Sequence, residues 1–212
     1  MYNNLTKNEK AQSYPRLLQT DGNFLNYKIN DLLYGIMYYH ATFDTGIKRL
    51  YLSKVKFQAE KQEICEIAGI NNSRTLKRHL DKLIDAKLIE IDDNKYYFPK
   101  EHEVKYQIIT RKALKRVLDT KDNNSLRIYG LLLKWYKWKI KENSFYIFTN
   151  KEILEKIGYS QDNKKASVMV TQILNDLEES GIISYQDVYI NTITADGREV
   201  PVPKKKLLYV ID

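Results

Sequence analysis

The stretch "EICEIAGINNSRTLKRHLDKLIDAKLIEI", residues 63–91, changes character twice along its length. It opens as a short apolar-polar run with the pair Ile64-Cys65 and ends at Gly69, a residue free to adopt the left-handed conformation that closes a helix. Asn72 or Ser73 then supplies the side-chain oxygen of a helix N-cap. Leu76, Leu80, Leu83 and Ile84 follow at i, i+4, i+7 and i+8, the spacing of one buried helical face. From Leu88 the pattern turns strand-like, reverses at Asp92-Asp93-Asn94 and returns through "KYYF". The order is helix, turn, helix, hairpin.

The same order occurs again downstream. Glu63 and Gly69 match Glu152 and Gly158 at an offset of 89. Tyr34-Gly35 in "LLYGIMYYHA" answers Tyr129-Gly130 in "RIYGLLLKWY" at 95. Leu80, Leu83, Leu88 and Ile89 answer Leu174, Leu177, Ile182 and Ile183 at 94. Three blocks in one order, with offsets that differ by a few residues, are what duplication followed by loop insertion produces. In the second copy Ala166, Val170, Ile173, Leu174 and Leu177 give the second helix its buried face. The hairpin "IISYQDVYINTI" turns at Asp196-Gly197 and returns through "KKKLLYVI".

Long, mostly apolar helical runs at 24–43 and 125–141 precede each copy. "VKYQIITRKALKRVLDT" (104–120) reads as a strand and a basic helix, with "SYPRLLQT" (13–20) as its counterpart ahead of the first copy. The expected class is therefore α+β and mainly helical. Helix, strand, helix, turn, helix and two-stranded wing is the winged-helix plan. We expect two tandem winged-helix domains related by internal duplication, a pseudo-dimer in one chain. The first occupies 1–100 with an N-terminal extension, and the second 101–212 with a long C-terminal wing.

Composition narrows the chemistry. The 212 residues are 43% hydrophobic, enough for a core, and carry a net charge of +8 that favours a polyanionic partner. No run approaches the roughly 20 apolar residues of a membrane span, the start lacks a secretory h-region, and a single cysteine, Cys65, fits a reducing cytoplasm. Cys65 reads as a small core residue. His40, His79 and His102 are scattered without a second ligand at metal spacing. No Ser/His/Asp order, phosphate-cradling glycine loop or zinc-protease motif is present, so neither a cofactor nor an enzymatic activity is expected. The 17 tyrosines fall mainly within apolar patterns and read as core; Trp135 and Trp138 read as core or interface.

The charges concentrate where this plan meets DNA. The second helix of each copy would enter the major groove with its N-terminal part at the base edges. In the first copy Ser73, Arg74, Lys77, Arg78 and Lys82 lie opposite the leucines. In the second, Lys164, Lys165, Ser167, Thr171 and Gln172 open the helix, with Asn175 further on and the acids Asp176, Glu178 and Glu179 at its far end. Arg198 marks the tip of the second wing, and Lys204, Lys205 and Lys206 its return strand. Arg111, Lys112, Lys115 and Arg116 are candidate phosphate contacts, and Lys134, Lys137 and Lys141 form a stripe on the long helix. Because the two helices differ, the two halves of a DNA site should differ.

The segments "YPRLL…INDLLYGIMYYH" and "FTNKEILEKIGYS…ILNDLEESGII" resemble the tandem winged-helix DNA-binding proteins of Gram-positive plasmids and phages. The likeness spans nearly the whole chain and rests on apolar spacing. It is similar in particular to the TraN-type accessory proteins of conjugative transfer, and more broadly to replication initiators and replisome organisers. The resemblance implies a double-stranded DNA partner at a transfer origin or promoter, other transfer or replication proteins as further partners, and a monomer that acts as a pseudo-dimer. The competing expectation is a protein-interaction module of the same machinery.

Overall fold

The computed structural model describes residues 16–18, 29–92, 94–99, 106–108, 110–122 and 124–211. His102, residues 24–28 of the first helical run and Asp93 of the first hairpin turn lie outside them. The class is α+β: among the described residues there are eight helices, a four-stranded antiparallel sheet, a three-stranded antiparallel sheet and one further strand pair. The chain divides into two compact units between Gly130 and Leu131.

In the first unit, helix α1 (Asp31–Tyr39) is nearly all buried, and Asn30 caps it by accepting from the Leu33 N–H. The Asn30 amide also donates to the Ala68 carbonyl at 2.9 Å, tying the helix start to the turn that ends at Gly69. Strands β2 (Thr42–Asp44) and β3 (Arg49–Ser53) form a hairpin, where the sequence suggested a single extended segment. Its bend is an Asp-driven turn: the Asp44 carboxylate accepts from the N–H groups of Gly46 and Ile47. Ser53 caps α2 (Lys54–Ala59), a helix that the apolar spacing does not announce; α3 (Lys61–Ile67) and α4 (Ser73–Asp85) follow. Strands β4 (Glu90–Asp92) and β5 (Lys95–Tyr97) close the sheet in the order β2-β3-β5-β4.

β1 (Arg16–Leu18) and β6 (Tyr106–Ile108) are the two segments read as counterparts, and they pair with one another, Leu17 opposite Gln107. α5 (Arg111–Asp119) is capped by Thr110 and packs on α1. That packing explains Gly35: a Cβ there would stand 2.8 Å from a methyl of Leu126 and 3.2 Å from one of Leu118. β6 and α5 therefore belong with the first unit, whereas the sequence grouping at 100/101 assigned them to the second.

The second unit takes the remainder of α6 (Ser125–Lys141), then β7 (Ile147–Phe148), α7 (Asn150–Lys156), α8 (Lys164–Glu179), β8 (Ile183–Ile193) and β9 (Glu199–Val210). Thr149 and Glu152 form a reciprocal capping box at the start of α7. Trp135 is buried and stacks on Tyr146 at 4.4 Å, with Phe148 beside it, so the helix and β7 share one aromatic core. Trp138 is half exposed. The sheet order is β7-β9-β8.

The two units repeat one local design. In each, the short strand after the first helix pairs with the return strand of the hairpin, giving the order first, third, second (β3-β5-β4 and β7-β9-β8). Gly69 and Gly158 both hold positive φ, and the next residue's N–H reaches back to Cys65 or Leu154 at 2.8 Å in each case. Asn72 and Asn163 cap the following helices by accepting from Thr75 and Ala166. Of the two N-cap candidates in the first copy, the structure selects Asn72 and makes Ser73 the first helical residue.

Candidate nucleic-acid interface

The frame that presents each second helix is set by four matched buried positions. Leu76, Leu83, Leu88 and Ile89 are buried in the first unit, and Val170, Leu177, Ile182 and Ile183, each 94 residues further on, in the second. Leu80 and Ile84 are only half buried, so the inward face of α4 is narrower than its leucine spacing suggests. The five apolar residues expected on the inward face of α8 are all buried.

With the inward faces matched, the outward faces can be compared residue by residue. Arg74, Lys77, Arg78 and Asp81 on α4 correspond to Val168, Thr171, Gln172 and Asn175 on α8. All eight are exposed. The first helix offers three cations and an acid there, and the second no charge at all. Lys164 and Lys165 are exposed on an extra stretch of three residues by which α8 begins earlier than its counterpart. Ser73 is exposed; Lys82 and Ser167 are half buried. Val168, which sequence reasoning did not single out, is 71% exposed in the middle of the polar stripe. Matching the buried leucines first would have found it.

Several of these side chains are held in place. The Asn150 amide donates to the Thr171 hydroxyl at 2.8 Å, and that hydroxyl donates to the Ser167 carbonyl. The Gln172 amide donates to the Asp176 carboxylate, one turn on, at 2.8 Å. Asn175 accepts from the Tyr185 hydroxyl. His79, on α4 between Arg78 and Leu80, is half buried, and burial first, then Arg78 and Lys82, lower its pKa.

The remaining candidates fall into two groups. Arg198 stands at the β8–β9 turn, almost fully exposed and 3.2 Å from Asp196. Lys112 and Lys115 are exposed on α5, Lys115 loosely paired with Asp119 at 3.9 Å, and Arg116 is half buried; the side chain of Arg111 lies outside the described residues. Lys204, Lys205 and Lys206 are half buried. Lys205 is ion-paired with Asp187 at 2.9 Å and lies over the Tyr185 ring, and Lys206 lies over Phe145. On α6, Lys141 is exposed, whereas Lys134 and Lys137 are half buried.

Two sequence readings change. Cys65 is not enclosed in the core: it is half exposed and lines an open cleft of about 450 Å³ with Gln58, Lys61, Gln62 and Asn72. Burial raises the pKa of its thiol. His40 is not isolated either. The chain brings it to Glu60 and Glu63, the ligand atoms of all three within 4.8 Å, and its Nε2 lies 3.6 Å from the Glu63 carboxylate. Spacing along the chain hid this because His40 and the glutamates lie on separate helical elements.

Among the described residues no helix is long and apolar enough to cross a membrane. Comparison of the chain with protein-family models, with characterised proteins and with solved structures finds no match.

Proposed function

We propose that the chain is a non-enzymatic, site-specific double-stranded DNA-binding protein built of two winged-helix units, with α4 and α8 as its reading helices. The observation that carries this reading is the matched frame: the same caps, the same buried positions and the same strand order hold a solvent-facing stripe on each helix. A major groove admits one helix, and an outward stripe of Arg, Lys, amide and hydroxyl groups has the donors and acceptors that base edges and phosphates require. The net charge of +8 supplies the salt-dependent part of the affinity. By the resemblance of the sequence, the site is a transfer origin or regulatory region of a mobile element, or a replication origin of one.

The test is duplex binding against salt. DNA flanking the protein's own gene is footprinted, and the protected duplex is titrated by fluorescence anisotropy over a range of salt concentrations. Arg74→Ala and Arg78→Ala should weaken binding and flatten the log–log slope by about 0.9 for each phosphate left unneutralised. Binding that ignores both substitutions, or that prefers single strands in competition, overturns the reading.

A further inference from the structure

The β8–β9 hairpin outgrows the sheet it belongs to. β7 pairs only with Lys205 and Lys206, so residues 187–193 and 199–204 continue as a two-stranded ribbon, about 20 Å long at roughly 3.4 Å per residue. Ribbons of two strands are marginally stable alone, and this one carries apolar groups on both faces. Tyr189 and Ile193 are each 75% exposed on one face, beside Pro201 and Pro203; Val188, Ile190, Val200 and Val202 lie on the other.

The two edges of the ribbon differ. Thr194 donates its N–H to the Arg198 carbonyl at 2.9 Å, which sets the phase of the ladder. Alternate pairs counted from there, Ile193 with Glu199, Asn191 with Pro201, Tyr189 with Pro203 and Asp187 with Lys205, point their backbone N–H and C=O groups out of the ribbon. On the β9 edge, Pro201 and Pro203 have no N–H to offer, and the Leu207 N–H is given to Tyr146 at 2.9 Å. That edge is closed to a further strand. On the β8 edge, the Tyr185 N–H is given to the Glu178 carboxylate at 3.3 Å. Beyond it, the outward groups of Asp187, Tyr189, Asn191 and Ile193 bond to nothing among the described residues.

We propose that this open β8 edge pairs antiparallel with the β8 edge of a second copy of the chain, joining the two ribbons into one four-stranded sheet. Register and charge both fit this occupant. With the two-fold axis at Ile190, Tyr189 stands opposite Asn191 and Asp187 opposite Ile193, so all four outward-facing residues meet outward-facing residues and every open N–H and C=O finds a partner. No like charge faces another. Charge agrees: between residues 187 and 204 the acids Asp187, Asp196 and Glu199 outnumber Arg198 and Lys204, giving −1 in a chain of +8. A ribbon of that charge and apolarity suits protein rather than a polyanion. The proposed dimer departs from the monomer expected from the sequence, and it stands independently of duplex binding.

Sedimentation equilibrium of the full chain without DNA, across the micromolar range, tests this. Wild type should show twice the chain mass. Asn191→Pro removes one outward N–H at a position where the β8–β9 ladder loses nothing, and Tyr189→Lys brings two like charges near the axis; each should give a monomer that still unfolds cooperatively, with a Tm that no longer rises with protein concentration as the wild-type Tm does. A monomeric wild type, or a dimer that survives Tyr189→Lys with its fold intact, overturns the proposal. Duplex titration of the Tyr189→Lys monomer separates the two readings, since α4 and α8 are untouched by that change.

Discussion

Asp31 and Arg127 are 96 residues apart in sequence, yet the Arg127 Nε donates to the Asp31 carboxylate at 2.7 Å with both side chains largely buried. The pair fastens the first turn of α1 to the first turn of α6. Burial raises the pKa of Asp31 more than the neighbouring guanidinium lowers it, so holding the charge there is costly and depends on its partner. Asp31→Ala or Arg127→Ala should each destabilise the chain by about 3–5 kcal/mol in urea unfolding, because the remaining charge is left buried. Asp31→Leu with Arg127→Met should recover most of that loss. Single variants costing under about 1 kcal/mol would show that the surviving partner reaches water.

The C-terminal turns of α4 and α8 end in the same left-handed geometry, with Lys87 at φ 55° and Gly181 at φ 71°. In both the next residue's N–H reaches back to the last buried leucine, Leu88 to Leu83 and Ile182 to Leu177. A side chain in that conformation costs roughly 1 kcal/mol or more, which glycine avoids. Lys87→Gly should therefore stabilise the protein by up to about 1 kcal/mol, and Gly181→Ala should destabilise it by about the same. Thermal unfolding of the two variants reads both signs; a destabilised Lys87→Gly would mean that the lysine side chain makes an interaction stronger than its backbone strain.

Much of this frame is legible in the sequence because short-range chemistry writes it. Glycine at the end of one helix, asparagine at the start of the next and leucines at i, i+4 and i+7 each leave a local mark, and Gly69, Asn72 and Leu76 sit where those marks put them. The hairpin before α2 was hidden because Asp44 makes its turn from within a polar stretch that reads equally well as a loop. Long-range features left no local mark at all. Nothing near Gly35 says that leucines from α5 and α6 close over it, and nothing near His40 announces Glu60 and Glu63. On the candidate interface, residue types were legible and their roles were not: Lys205 and Lys206 read as open cations, but their partners come from Asp187, Tyr185 and Phe145.

His79 makes stability pH-dependent with a definite sign. Burial, reinforced by Arg78 and Lys82, holds its folded-state pKa below the ordinary 6.5. Above 6.5 the imidazole is neutral in both states and its contribution is intact. As the pH falls below 6.5 the unfolded chain takes up a proton that the folded one resists, so stability is lost on acidification through the folded pKa. Urea midpoints between about pH 7.5 and 5.5 should fall for wild type more steeply than for His79→Gln. Parallel slopes would assign the acid sensitivity to other groups.

The pairing of Arg74 with Val168, and of Arg78 with Gln172, predicts how the two reading helices divide the work in the proposed duplex complex. Three cations on α4 should contribute salt dependence and hydrogen bonds to guanine; an exposed valine on α8 suits the thymine methyl, and a glutamine suits adenine. Val168→Ala and Gln172→Ala should relax base preference in one half of the site, by about 1–3 kcal/mol where a bidentate pair is removed, with the salt slope unchanged. Lys77→Ala should do the reverse, weakening all sequences alike and lowering the slope by about 0.9. Competition with duplexes in which one half-site at a time is scrambled separates the two patterns. Equal effects from either half, or a preferred site that is a perfect palindrome, would mean that the outward difference between α4 and α8 is not read by the DNA.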